Sequence, residues 1–97
     1  MYTKSVEKKV EDRLLATHIA DNPNFESACM SGNGTLIMDI VAAEMQKNNL
    51  FTKGAEKLKE DIARKLKGQA RVSKYIGQEI LMFVWNSRLS GIGLAVI

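Results

Sequence analysis

Apolar residues recur through most of this chain at intervals of three to five, and polar or glycine-containing breaks divide the pattern into helical segments. Over residues 3–20 the positions Val6, Val10, Leu14, Leu15 and Ile19 form one stripe, with Lys8, Lys9, Glu11, Asp12 and Arg13 between them. Asp21-Asn22-Pro23 ends that segment, with Asn22 as a cap and Pro23 in the first turn of a short helix at 23–30. Ser31-Gly32-Asn33-Gly34 reads as the clearest loop. From Thr35 to Lys47, the residues Leu36, Ile37, Ile40, Val41 and Met45 predict another amphipathic helix, and Ala42 and Ala43 are small enough for a neighbour to approach closely. Thr52 then caps a helix over 53–67 with a single stripe of Ala55, Leu58, Ile62 and Leu66. Glu60–Arg64 and Asp61–Lys65 are expected to pair along it at i,i+4.

After a break at Gly68 the pattern predicts helix from Gln69 to Leu89, with Val72, Ile76, Ile80 and Phe83 in line. Within it, Ile80-Leu81-Met82-Phe83-Val84-Trp85 is apolar on every side. Read alone, that run resembles a buried strand, but the periodicity leading into it and the lack of a partner strand decide for helix. A helix apolar all round has to be wrapped by other helices or by a second subunit, so Phe83 and Trp85 are expected to be largely buried. Ser90-Gly91-Ile92-Gly93 is expected to end the helix and leave Leu94–Ile97 as an apolar tail.

These segments predict an all-α fold, a compact bundle of four main helices plus one short helix with the C-terminal helix central, and residues 1–97 as a single domain. One proline and six aromatic residues are too few for an all-β sandwich. Gln78, Glu79, Asn86 and Arg88 make 76–97 an expensive membrane span, and the N-terminus lacks the apolar core of a signal peptide, so the expectation is a cytoplasmic protein without membrane contact. Cys29 is the sole cysteine, which excludes an intrachain disulfide.

Charge changes the picture at one place. Residues 53–75 carry eight basic residues against Glu56, Glu60 and Asp61, a local net of +5, which leaves −2 for the rest of a chain whose net charge is +3. Inside this stretch, residues 60–76 resemble the bacterial helix-turn-helix over about 17 positions. Ala63 would sit at the helix–helix contact, Gly68 at the turn, and Val72 and Ile76 in the core. The glycine and the buried aliphatic fall five and nine positions after Ala63, each one position out of the motif's usual register. The resemblance implies double-stranded DNA as partner, with Gln69, Arg71, Ser73 and Lys74 toward the duplex and Lys67 and Lys74 on phosphates. The alternative is a solvated helix face whose lysines are salt-bridged.

Little else carries chemistry. His18 and Cys29 lack the context of a nucleophile and its base and cannot by themselves hold a zinc ion, so packing is the simpler reading of both. Ser31-Gly32-Asn33-Gly34-Thr35 lacks the lysine of a phosphate loop and reads as a turn followed by a cap. Glu11-Asp12 and Glu60-Asp61 are adjacent pairs that point apart on a helix, not acid–base dyads. Met30, Met38, Met45 and Met82 suit core filling. No catalytic residue, cofactor or metal ligand is expected.

The leading expectation is therefore a small non-catalytic regulatory or inhibitory module, of a kind common on phages and other mobile elements, that acts through protein–protein interaction. A homodimer is expected, with Trp85, Leu89, Ile92, Leu94 and Val96 at its interface. A DNA-binding transcriptional regulator using residues 60–76 is the alternative.

Overall fold

The turns are where the chain's local chemistry acts most visibly. In a computed structural model, the backbone of residues 13–96 and the side chains of residues 13–89 are described. Val6 and Val10 of the first stripe lie outside them. Five helices result, with no strand among the described residues: α1 over 13–21, α2 Phe25–Met30, α3 Gly34–Lys47, α4 Lys53–Leu66 and α5 Lys74–Val96. The protein is an all-α bundle of four main helices and one short one.

α1 buries Leu15, Ala16 and Ile19. Leu14, expected in that stripe, is exposed, because the buried set advances by three and four residues and leaves position 14 to the side. Asn22 does not cap α2 directly. Its Oδ1 accepts from the Asn24 amide in an Asx turn, and α2 begins at Phe25, two residues later than expected. Phe25, Ala28 and Cys29 face inward.

Asn33 caps α3, its Oδ1 accepting from the Leu36 amide at 3.1 Å. α3 buries Ile37, Ile40, Val41 and Met45, while Ala42 and Ala43 face solvent and mediate no close helix contact. Glu44, also on the inward side, receives the side-chain amides of Asn22 at 2.8 Å and Asn48 at 3.1 Å. This pairing ties the α1–α2 turn to the end of α3 and supplies the hydrogen bonds a buried carboxylate requires. Thr52 caps α4 as expected, and Ala55, Leu58, Ile62 and Leu66 are all in the core. α4 stops where Lys67 and Gly68 both adopt positive φ, at 53° and 71°.

α5 lies against both α2 and α4. It starts at Lys74, five residues later than the sequence pattern suggests, because the backbone of Ala70–Val72 is held elsewhere. The Val72 amide donates to the Gly32 carbonyl at 2.8 Å and the Thr35 amide to the Ala70 carbonyl at 3.2 Å, joining the α4–α5 connection to the α2–α3 loop. A Cβ on Gly32 would stand 2.0 Å from the Val72 oxygen, and one on Gly34 would stand 2.5 Å from the Gln69 oxygen. Only glycine allows the two connections to meet this closely. At its other end α5 does not break at Gly91 but stays helical through Val96.

Candidate interaction surfaces

α5 carries apolar residues on two opposed sides. At 3.6 residues per turn, Ile80 and Val84 fall on one side, while Met82, Trp85 and Leu89 fall roughly half a turn away. Ile80 and Val84 are completely buried against the core, with Ile76 and Phe83 packed beside them. On the opposite side Tyr75 is 72% exposed, Met82 58%, Trp85 38% and Leu89 52%. The expected burial of Trp85 is thus overturned, and Phe83 is half-buried. One face of α5 suffices to close the core, so the bundle does not wrap the helix.

Trp85 is nevertheless braced. The Arg88 guanidinium lies 4.8 Å from the Trp85 ring centroid, and Arg88 also reaches Asp21 at 3.7 Å. Of the five residues expected at an interface, Trp85 and Leu89 share the outward face. The side chains of Ile92, Leu94 and Val96 lie outside the described residues.

The basic stretch divides differently. Asp61 holds both Lys57, at 3.7 Å, and Arg64, at 3.0 Å, while Lys65 turns to Glu79 at 3.3 Å and sits over the Phe83 ring. The expected Glu60–Arg64 and Asp61–Lys65 pairs are replaced by these, because Lys65 projects toward α5. Lys67, Gln69, Arg71, Ser73 and Lys74 are all exposed, but they lie along the α4–α5 connection and at the first residue of α5. Arg71 forms an isolated bridge with Asn33, and the Ser73 hydroxyl accepts from the Ile76 amide as the cap of α5. No recognition helix begins at Gln69. The short turn that helix-turn-helix geometry needs is replaced by an extended connection.

Cys29 is buried, with its thiol pushed up to about 12 by desolvation and secondarily by the Glu26 carboxylate. A thiol held protonated in this way is a poor nucleophile at neutral pH. His18 is half-buried on α1. The Ser31–Thr35 loop is not an anion cradle: the Gly32, Asn33, Gly34 and Thr35 amides all donate to backbone carbonyls. An open groove of about 340 Å³ runs between α3 and α4, with Met38 and Asp39 on one side and Ala63 and Gln69 on the other. It offers one carboxylate and no acid–base pair. No group of three or more metal-ligating side chains occurs among the described residues, and no described helix is long and apolar enough to cross a membrane.

The chain matches no family model, no curated protein and no solved structure.

Proposed function

We propose that this chain is a small non-catalytic regulatory or inhibitory module that acts through protein–protein interaction. The observation that carries this reading is the outward face of α5, where Tyr75, Met82, Trp85 and Leu89 stand exposed on a helix whose opposite face already closes the core. Aromatic residues held in place and set in an apolar surround are what binding surfaces use as anchors. Trp85 has that character, fixed by Arg88 and by its position on a helix. The test is an affinity capture from the source organism's lysate after nuclease treatment, with wild-type chain beside a Met82→Asp/Trp85→Ala variant. A protein retained by the wild type through a high-salt wash and lost by the folded variant supports the reading. Identical capture by both removes the α5 face from it.

A second reading, duplex DNA as partner, draws on the shared exposure of Lys67, Gln69, Arg71, Ser73 and Lys74. It takes the form of a basic connection meeting phosphates, not a helix reading bases. Binding of that kind falls steeply with salt. An Arg71→Ala/Lys74→Ala variant should lose a wild-type gel shift while keeping its thermal melt. A wild-type chain without salt-sensitive affinity for duplex DNA of any sequence ends this reading.

A further inference from the structure

The outward residues of α5 have a spacing that selects an occupant. Tyr75, Gln78, Met82, Trp85 and Leu89 follow one another at three, four, three and four residues, the alternation of a and d positions in a heptad. The same count reaches Ile92 and Val96 within the helix, whereas Leu94 belongs to the other register. The helix therefore provides about three heptads, the length at which such a seam becomes a recognisable pairing signal. A heptad seam packs best on a helix with the same repeat, and a second copy of the chain supplies one.

Charges beside the seam choose the direction. With Tyr75, Met82 and Leu89 at a, the g positions hold Lys74, Leu81 and Arg88, and the e positions hold Glu79 and Asn86. In a parallel pair, each g faces the following e of the partner, which sets Lys74 against the partner subunit's Glu79 on both sides of the twofold axis. An antiparallel pair sets g against g and e against e, with no opposite-charge pair among these five residues. Glu79 keeps Lys65 at 3.3 Å, but its side chain is 62% exposed and has a carboxylate edge to spare.

We propose that α5 pairs in parallel and in register with α5 of a second copy through Tyr75, Met82, Trp85 and Leu89, with reciprocal Lys74–Glu79 contacts. This rests on the reading of the α5 face as a binding surface and names its occupant. Sedimentation and light scattering of the full chain should show a dimer at micromolar concentration. Met82→Glu/Leu89→Glu should return it to monomer with its helical circular dichroism retained. Leu89→Cys should cross-link to itself under mild oxidation, since equivalent a positions adjoin only in a parallel pair. Lys74→Glu should weaken the dimer several-fold, and Lys74→Glu/Glu79→Lys should restore it. A chain monomeric up to millimolar concentration, a dimer indifferent to the paired glutamates, or a Leu89→Cys dimer that does not cross-link each overturns the proposal. None of these three results touches the capture of a different protein by the same face, which is tested separately.

Discussion

Cys29 and Gly77 meet where α2 crosses α5, and each is constrained by that crossing. A Cβ on Gly77 would stand 1.8 Å from the Cys29 carbonyl oxygen, a backbone atom that cannot swing aside. Gly77→Ala should therefore destabilise the fold by about 1–3 kcal/mol or more, read as a fall in the urea midpoint. An unchanged midpoint would mean that the helices do not cross at this point. The Cys29 thiol should resist iodoacetamide in the native protein and react in denaturant; prompt labelling of the folded chain would contradict its burial. Its folded-state pKa of about 12 lies above the reference value of 9.0. The unfolded chain thus releases a proton that the native chain keeps between these values. The resulting contribution to stability is complete below about pH 9 and is lost as pH rises toward 12.

For α5 as an element, the energetic weight falls on Ile80 and Val84, which are completely buried. Ile80→Ala should cost about 2–5 kcal/mol, the range for deleting a large buried side chain without full collapse of the cavity. Phe83→Ala should cost less than Ile80→Ala, since the Phe83 ring is half-buried with the Lys65 ammonium 4.9 Å from its centroid. Trp85→Ala, measured at a concentration where the chain is monomeric, should cost under about 1 kcal/mol. A Trp85→Ala variant that unfolds would place this residue in the core after all. In α4 the Thr52 hydroxyl satisfies the Ala55 amide at 3.3 Å, and Thr52→Ala should remove about 1 kcal/mol in thermal melts.

For the molecule as a whole, the contact between the α2–α3 loop and the α4–α5 connection joins parts of the chain that lie far apart in sequence. The Val72 and Thr35 amides are bonded across that contact and should exchange with deuterium at rates near those of core helical amides. Exchange as fast as in an exposed loop would mean the two connections are separate. The junction fixes where α5 begins and holds Gln69 and Arg71 outside any helix, so the end of the basic stretch becomes a braced surface connection.

Much of the fold was legible in the sequence because its causes are local. Stripes such as Ala55, Leu58, Ile62 and Leu66, the cap Thr52, and the break at Gly68 act through spacing and hydrogen bonds within a few residues. The candidate site was legible only in part. Trp85 and Leu89 could be singled out as apolar residues needing cover, but periodicity is silent about which of two apolar faces of one helix turns inward. Tertiary structure made that choice: Gly77 admits the Cys29 backbone, Ile80 and Val84 fill the space beside it, and Met82, Trp85 and Leu89 are left outside. It also decided the start of α5. Gln69–Ser73 has helical periodicity, but hydrogen bonds to Gly32 and Thr35, reachable only because glycine lacks a side chain, hold part of that segment out of the helix.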